Sequence, residues 1–380
     1  MTGKTLGLYV HIPFCRQKCF YCDFPSAAGQ EASFTSYTRA LVQEITTQGV
    51  NYSDCTVDTV FIGGGTPTVL PLALLLAVCQ AIKQSFQLTA DYEWTIEANP
   101  GTVDFAALTA LHQVGVNRLS FGVQSFDDEI LKKLGRIHTA KTAVNSVLQA
   151  AAAGFANINL DLMTGLPGQT LENFTATIEQ AVKLPIRHLS VYSLKVEAGT
   201  AFAAAEQAGQ LLLPGEAIEE TIDELVVTFL PAQGFSRYEI SNYAQRGYAC
   251  RHNLKYWFYQ SYLGLGAAAH SFFGGPRQAN IRDVPAYIEA ITTGQSAVAV
   301  VEPLTEDVQR GEMIFLALRT TTGLLFANYN RQFHSDFIAD YKSTLTKLSE
   351  QSLIEWNKQG IKLTDLGMKF GNIVFCAFLP

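Results

Sequence analysis

Residues 9–24 read YVHIPFCRQKCFYCDF and place Cys15, Cys19 and Cys22 at C-x3-C-x2-C spacing. The cysteines follow an apolar run, residues 6–12, that is typical of a β-strand. Pro13 has no backbone N–H to give to a sheet and ends the strand, so we expect the cysteines on a loop. Three thiolates on one tight loop can bind three corners of a cubane iron–sulfur cluster. The fourth iron must then take a ligand from elsewhere, and an open metal position is where chemistry can occur.

Two simpler explanations of the cysteines are weaker. Free cysteines often fill core space, but these three stand together on one loop. A zinc ion would require a fourth His or Cys at close range, and His11 precedes Pro13 on the strand. The chain has seven cysteines, an odd number that suits a reducing cytoplasm better than a disulfide framework.

Length and composition limit the classes of protein to consider. A chain of 380 residues exceeds the usual size of one core, so a main domain and a smaller one are expected. The net charge of −7 and the absence of a basic stripe argue against nucleic-acid binding. The longest apolar run, residues 69–78, contains Pro71 and is too short to span a bilayer. No signal peptide opens the chain, which predicts a cytoplasmic location.

Strand-like and helix-like segments alternate over the first two thirds of the chain. The predicted strands are 6–12, 57–62, 93–98, 117–123, 157–163 and 188–194. The predicted helices are 34–48, 71–86, 103–113, 127–134, 139–153, 171–184 and 217–233. This alternation predicts a parallel α/β sheet, here a partial (β/α)6 TIM-like barrel. Functional groups of such barrels lie where the strands end and the βα loops begin.

Polar and glycine-rich segments occur at those strand ends. Gly63-Gly64-Gly65-Thr66-Pro67 follows the second strand, and three glycines allow a backbone to approach a ligand closely. Glu97 ends an apolar strand and is costly to bury unless it meets a cation or hydroxyl groups. Further donors and acceptors follow at Gln124, Arg136 and Asp161. Each alone could be a tight turn or a surface position, but their occurrence at successive strand ends indicates a binding site.

These segments resemble the radical S-adenosylmethionine (SAM) superfamily. Residues 6 to about 275 are similar to its oxygen-independent coproporphyrinogen III dehydrogenases and their relatives, through YVHIPFC, FIGGGTP, IEANP, RLSFGVQSF, NLDLMTGLPGQT and VYSLKVEAGT. In that superfamily an electron from the [4Fe–4S] cluster cleaves SAM to methionine and a 5′-deoxyadenosyl radical. The resemblance implies a cluster on Cys15, Cys19 and Cys22. It also implies that SAM is contacted by Tyr9, Tyr21, Gly64, Gly65, Thr66, Glu97, Gln124, Arg136 and Asp161. Lys195 is a further, weaker candidate for this role.

Two departures separate the chain from the dehydrogenases. They carry a further cysteine two residues past the trio, where this chain has Phe24. They also have a longer N-terminal extension, whereas this chain reaches its cluster strand by Leu6. Both differences point away from porphyrinogen decarboxylation.

Residues 250–257, CRHNLKYW, supply a candidate heme site. A neutral imidazole is a good iron ligand, and Tyr256 and Trp257 offer flat apolar faces to a macrocycle. A histidine beside aromatic residues is also common as a hydrogen-bonded core residue. HNLKYW resembles the HNxxYW heme motif of the radical-SAM heme chaperones, and YLGLGAAAHSF resembles its continuation. The resemblance implies His252 as axial ligand, with Cys250 as a rival and His11 and His270 less favoured.

The alternation stops near residue 280. Helices at 312–324 and 337–351 and a hairpin of residues 353–356 and 361–364 predict a winged-helix-like α+β module, although the basic face of a DNA-binding winged helix is missing. The resemblance implies that this module covers the barrel mouth or meets a partner. The expected domains are 1–235, a radical-SAM partial barrel; 236–280, a segment completing the barrel; and 281–380, the winged-helix-like domain.

Three functions remain open at this point, and with them whether the chain is an enzyme. One of them is a radical-SAM enzyme that acts on some other tetrapyrrole. The resemblance favours a cytoplasmic heme chaperone that binds a [4Fe–4S] cluster, SAM and heme and delivers heme to an acceptor protein. Such a protein would also meet an electron donor such as a flavodoxin or ferredoxin, and transiently a membrane protein. The alternative is an oxygen-independent coproporphyrinogen III dehydrogenase, which decarboxylates two propionates by hydrogen abstraction.

Overall fold

The computed structural model describes residues 4–273 and 275–379. Its central feature is a run of six parallel strands that neighbour one another in chain order. They are β1 (Lys4–Ile12), β2 (Cys55–Gly64), β3 (Gln87–Ala98), β4 (Arg118–Gln124), β5 (Asn157–Thr164) and β6 (His188–Ser193). The predicted partial (β/α)6 barrel is confirmed. Most strand boundaries lie within two residues of those predicted, but β3 begins six residues earlier than expected.

Because side chains alternate along β1, this strand can contribute to the hydrophobic core with one face and to the cavity with the other. Leu6, Leu8, Val10 and Ile12 are fully buried in the main hydrophobic core. Tyr9, between them, points to the opposite face and lines the central cavity. Since neighbouring residues of a strand face opposite sides, an apolar-rich segment delivers one functional group without losing its packing face.

Helices pack around the parallel strands. They are α1 (Phe34–Asn51), α2 (Leu72–Ser85), α3 (Phe105–Val114), α4 (Asp128–Lys133), α5 (Ala140–Ala152), α6 (Leu171–Val182), α7 (Ala201–Gln207) and α8 (Glu216–Ala232). Several begin at a side-chain cap that satisfies a free backbone N–H, as Asp104 does for Ala107 and Thr170 does for Asn173. These caps fix where the βα loops end and therefore where the loops can present groups.

The sheet continues beyond the six strands at both edges. The added strands are β7 (Ser236–Arg237), β8 (Asn242–Ala244), β9 (Tyr262–Leu265), β10 (His270–Phe272), β11 (Arg277–Asn280) and β12 (Val298–Glu302). The full order is β12-β11-β10-β9-β1-β2-β3-β4-β5-β6-β8-β7. β9 pairs with β1 in parallel, and β8 pairs with β6 in antiparallel fashion. The sheet is therefore open, with β1 inside it rather than at its edge.

A short helix, α9 (Arg251–Trp257), fills the interior beside the middle of β1 and β2. Its Lys255 Nζ lies 2.8 Å from Asp58 Oδ1 on β2, and the lysine side chain is 4% exposed. A Cβ at Gly7 of β1 would lie 2.8 Å from Lys255 Cδ, so the missing side chain makes room for the helix. This helix carries the HNLKYW segment, which is therefore an internal element and not a surface motif.

The C-terminal part has a core of its own. Its elements are α11 (Glu306–Leu318), β13 (Leu324–Leu325), α12 (Phe326–Phe333), α13 (Phe337–Glu350), β14 (Ile354–Trp356), β15 (Gly360–Leu363), α14 (Asp365–Lys369) and α15 (Gly371–Cys376). Helices and a three-stranded sheet form the α+β module expected from the sequence. The first helix covers Glu306–Leu318 instead of 312–324, and the residues after it turn at Gly323, which has φ of 68°, into β13.

Strand pairing places residues 284–302 with the main sheet rather than with the C-terminal part, which the sequence analysis began at residue 281. The helix α10 (Val284–Thr292) packs on α1, and its Tyr287 is buried in the main core. β12 pairs with β11. Over residues 4–273 and 275–379, no helix has the length and apolar character needed to cross a membrane.

Candidate functional site

A cavity of about 570 Å³ opens at the carboxyl ends of the parallel strands and runs inward to α9. This volume is in the usual range of small-molecule sites. Every residue predicted from the sequence for the cluster, for SAM and for heme ligation by His252 lies in its wall. The outer end holds the cysteine loop; the inner end, as we call it below, is formed by Arg118, Asn159, Asn242 and His252.

The loop that carries the cysteines is fixed at both ends. Residues 14–15 pair with residues 27–28 as two short parallel strands. His11 Nε2 lies 2.8 Å from the carbonyl oxygen of Pro25, and Gln17 Nε2 donates to the carbonyl of Gly135 at 3.0 Å. Lys18 Nζ donates to the carbonyl of Phe24 at 3.3 Å. The protein thus shapes the loop through its own hydrogen bonds.

All three thiols of the loop are partly exposed in the cavity. Cys15 Sγ lies 3.7 Å from Thr66 Oγ1, and Arg136 Nη1 donates to Cys19 Sγ at 3.3 Å. Burial raises the pKa of the Cys15 and Cys22 thiols, so a metal would have to displace their protons. In the part of the chain that the structure describes, no three His, Cys, Asp or Glu side chains are grouped to hold one metal ion. A cubane differs from a single ion, because it takes one thiolate at each of three separate irons.

The glycine run after β2 has a structural use that the sequence did not reveal. The Gly65 N–H donates to the carbonyl of Ile12 at 2.8 Å, and the Thr66 N–H donates to that of Phe14 at 2.7 Å. A Cβ at Gly65 would lie 2.5 Å from Phe14 O, and one at Gly64 would meet the His11 ring. The absence of side chains at these glycines therefore allows the loop after β2 to contact the cysteine loop directly. The same glycines expose backbone atoms to the cavity.

Two of the four carboxyl groups that line the cavity, those of Glu97 and Asp161, lie on the parallel strands. Glu97 Oε2 accepts a hydrogen bond from the Gly64 N–H at 3.1 Å, and Asp161 accepts from Asn159 Nδ2 at 2.8 Å. Burial, and to a lesser degree Asp161, raise the pKa of Glu97 to about 8. Burial also raises the pKa of Asp161. With its pKa near 8 the Glu97 carboxyl holds a proton at neutral pH, and a cationic ligand beside it would favour its ionised form.

Gln124 and Arg136 complete the outer wall. Gln124 has φ of 68°, a left-handed conformation that is uncommon for a residue with a side chain, and its Oε1 accepts from Tyr192 Oη at 3.0 Å. Arg136 Nη2 donates to Asn99 Oδ1 at 2.7 Å and to the carbonyl of Gly122. These bonds hold the guanidinium beside Cys19, where a ligand carboxylate could pair with it.

His252 lies in the inner wall with both ring nitrogens engaged. Nδ1 is 2.9 Å from Thr59 Oγ1, Nε2 is 2.8 Å from Tyr256 Oη, and the residue is 1% exposed. Burial, with Lys255 and Arg118 as further causes, lowers the pKa of His252 to about 3. The ring is therefore neutral at pH 7, as iron ligation requires. Nε2 becomes available to a metal only when the Tyr256 hydroxyl moves away.

The other heme candidates are less well placed or differently occupied. Cys250 is fully buried, and its thiol donates to Glu93. His11 has both nitrogens in hydrogen bonds, whereas His270 is exposed on β10. Trp257, which the sequence analysis offered as a flat apolar face, lies outside the cavity with the Arg319 guanidinium 4.8 Å above its ring.

Sequence reasoning placed Lys195 near SAM and, at the inner end, found His252 but missed Arg118. The Lys195 side chain is 81% exposed at the rim and pairs with Glu197 at 2.6 Å. Arg118, at the start of β4, is 1% exposed and yet lines the cavity. A charged residue opening an otherwise apolar strand was the signal that could have identified it.

Family models and known proteins agree with this architecture. Residues 9–181 match the radical SAM superfamily and residues 304–370 match the HemN C-terminal domain. The heme chaperone HemW of Bacillus subtilis is 39% identical over 98% of this chain and 98% of its own length. The HemW of Escherichia coli is 41% identical over 70% of this chain and 69% of its own. The structure of coproporphyrinogen III oxidase (HemN) from Escherichia coli superposes with a TM-score of 0.87 at 26% identity, over 99% of this chain and 90% of that one.

The barrel, the cysteine loop at its mouth and the appended C-terminal module define a radical SAM protein of the HemN type. Within that class, the relatives at 39% and 41% identity indicate a narrower family than the shared fold does. The chain belongs to the family of the heme chaperone HemW.

Proposed function

We propose that the chain is a cytoplasmic heme chaperone, which binds a [4Fe–4S] cluster, SAM and heme and transfers heme to an acceptor protein. The observation that carries the proposal is the full-length similarity to HemW of Bacillus subtilis. The cavity supports it, because one space unites the thiols, two carboxyl groups and the HNLKYW helix. The partners that follow are heme, a heme-acceptor protein, an electron donor such as a flavodoxin or ferredoxin, and transiently a membrane protein.

The outer end of the cavity suits the cluster and SAM. Cys15, Cys19 and Cys22 would each hold one iron, and Arg136 beside Cys19 would offset the negative charge of a thiolate-ligated cluster. SAM carries a sulfonium and an ammonium group. The buried carboxyls of Glu97 and Asp161 provide the charge that such a cation requires. When bound, the cluster and SAM supply one-electron and radical chemistry.

Tyr9, Tyr21 and Gln124 would pack against and hydrogen-bond the nucleoside part, with Gly64, Gly65 and Thr66 presenting backbone to the amino-acid part. Tyr9 Oη is already fixed by His11 Nδ1 at 2.9 Å, which orients its ring along the wall. Lys195 is a rim residue that would reach the ligand only after leaving Glu197.

Heme ligation by His252 requires a local change. The imidazole is neutral and faces the cavity, but Tyr256 Oη lies on Nε2 at 2.8 Å. We therefore expect Tyr256→Phe, which keeps the ring and removes the hydroxyl, to strengthen heme binding several-fold. The matched change His252→Ala should abolish axial ligation, seen as a shift of the heme absorption band in an anaerobic titration.

The control for this titration is His270→Ala, which removes an exposed imidazole on β10. Heme spectra that change with His270→Ala and not with His252→Ala would move the ligand to β10 and contradict the assignment. Iron and sulfide content, measured on each variant, shows whether the cluster is intact.

The structural likeness to coproporphyrinogen III oxidase of Escherichia coli makes oxidative decarboxylation of coproporphyrinogen III the second candidate function. The residue that follows the three cysteines argues against it. Phe24 occupies the position of the extra dehydrogenase cysteine, and its side chain is 60% exposed at the edge of the cavity. We therefore expect no protoporphyrinogen when the reconstituted protein is given SAM, a reductant and coproporphyrinogen III. Turnover of that substrate would refute the chaperone as the sole function.

A further inference from the structure

Arg118 is a buried cation with almost no partners. Its guanidinium makes one hydrogen bond, from Nη1 to Thr95 Oγ1 at 3.4 Å, and Nε is buried and donates to nothing. It forms no ion pair with any residue in 4–273 or 275–379. A guanidinium has five N–H donors and stays charged, so this burial is costly unless something else meets it.

The carboxylates around Arg118 are committed to other donors. Glu93 accepts the N–H groups of Arg251 and His252 at 3.1 Å each, and so caps the start of α9. Asp161 accepts from Asn159 and from Ser120 Oγ at 3.3 Å. Although burial acts against it, the charges of neighbouring groups, Glu93 and Asp161 among them, hold the pKa of Arg118 above its ordinary value. Neither acid, however, accepts a hydrogen bond from the guanidinium, whose Nε donor remains open to a ligand.

The surroundings of Arg118 are polar on the cavity side. Ser120, Asn159, Ser190 and Asn242 line the same end of the cavity, and Asn242 Oδ1 is buried without a hydrogen-bond partner. The cavity thus has two guanidinium groups at opposite ends. Arg136 lies beside the thiols and has three acceptors, whereas Arg118 at the inner end has one long hydrogen bond and a buried Nε without a partner.

We propose that Arg118 binds a carboxylate of the cargo, namely a propionate of the tetrapyrrole, at the inner end of the cavity. The assignment rests on the proposed function, since it presumes that a tetrapyrrole enters this space. A planar guanidinium pairs with a carboxylate through two parallel hydrogen bonds, which would satisfy Nε together with one terminal nitrogen. His252 lies on the same wall, so the iron and the propionate of one macrocycle would be held by adjacent groups.

The test compares heme with its dimethyl ester, in which both propionates are blocked. Binding of each is titrated anaerobically, at one detergent concentration, to the wild-type protein and to Arg118→Met. We expect the wild type to prefer the free acid by about 10- to 100-fold, the range of a charge-assisted hydrogen bond, and Arg118→Met to lose most of that preference. Arg118→Lys should retain part of the preference for the free acid, because lysine keeps the positive charge but cannot form the two parallel hydrogen bonds of a guanidinium.

Two further measurements locate the effect. Arg282→Met, at an exposed arginine, should bind both ligands as the wild type does. Iron content should be unchanged in Arg118→Met, because the thiols lie at the outer end. SAM should still bind, weakened only as far as the lost guanidinium charge raises the pKa of Glu97 further. Weaker SAM binding with an unchanged heme preference would assign Arg118 to SAM and overturn the proposal.

The wild-type comparison does not depend on the folding of any variant. Equal affinity of the wild type for heme and for its dimethyl ester would overturn the role of Arg118 and leave the proposed function intact. Binding of neither ligand would refute the proposed function itself, and this inference with it.

Discussion

The two raised carboxyl pKa values predict that SAM binding depends on pH through Glu97. The pKa of this carboxyl in the ligand-free protein is about 8. A sulfonium or ammonium group selects the ionised form, so the apparent dissociation constant equals the intrinsic constant divided by the ionised fraction. That fraction is about 1% at about pH 6 and half at about pH 8, so affinity for SAM should rise about 50-fold over this interval.

The substitution Glu97→Gln isolates this contribution. The amide cannot ionise, so its weaker SAM binding should lose the part of the pH dependence that belongs to the carboxyl. The α-amino group of SAM titrates near the same pH, and the difference between the two proteins, not the slope of either, is the quantity to measure. Glu179→Gln, on the exposed face of α6, is the matched control and should follow the wild type.

Isothermal titration calorimetry under anaerobic conditions measures the effect directly. Titrations in buffers of different ionisation enthalpy give the protons released per SAM bound. The wild type should release close to one more proton than Glu97→Gln at about pH 6.5, since a group with a pKa of about 8 is protonated there. Identical proton release by the two proteins, with parallel pH dependences, would refute the reasoning.

Two more substitutions test the packing that builds the site. Lys255→Met leaves Asp58 without its partner, and should lower the free energy of unfolding by about 3 kcal/mol in urea denaturation, the low end for a buried pair because Asp58 keeps 20% exposure. Gly65→Ala places a Cβ 2.5 Å from the carbonyl oxygen of Phe14, so the cysteine loop must shift and iron bound per chain after reconstitution should fall by half or more. Gly215→Ala, which meets no atom within 4 Å, should leave iron content unchanged.

A control for the first substitution is Lys362→Met, which breaks an exposed pair with Glu355. It should change the unfolding free energy by less than about 1 kcal/mol. A loss as large as that of Lys255→Met would mean that charge alone, and not burial beneath the cavity, sets the effect. Full iron content in Gly65→Ala would mean that the contact between the two loops is not needed for the cysteines to bind.

The barrel was predictable because each of its parallel strands has a local sequence signal. Val57 to Ile62 and Asn157 to Met163 are β-rich runs between helical segments, and each ends in a turn signal. The cysteine spacing and Pro13 predicted a loop with three thiols close together, and Cys15, Cys19 and Cys22 do lie together in the cavity wall. Polar groups at Glu97 and Asp161 follow from the rule that parallel strands end at a common edge.

Other features depend on contacts between distant residues and leave little local signal. Tyr262 to Leu265 could be a strand or a loop by composition, and nothing in those residues shows that they pair with Gly7 to Val10. The HNLKYW segment suggested exposed aromatic faces for a macrocycle. Its position inside the barrel depends on Glu93, which binds the start of α9 from a strand about 160 residues earlier in the chain.

The pairing of β9 with β1 also bears on when the site can form. Synthesis delivers the amino-terminal strands first, so β1 can pair with β2 early, but its other edge stays open until residue 265 has emerged. α9, at residues 251–257, arrives only shortly before that strand. A nascent chain of 200 residues would therefore contain the three thiols but not α9, which closes the inner end of the cavity. Iron loaded at that stage would be open to solvent on the side where α9 is missing, so we expect metallation to follow the synthesis of residue 265 of the 380.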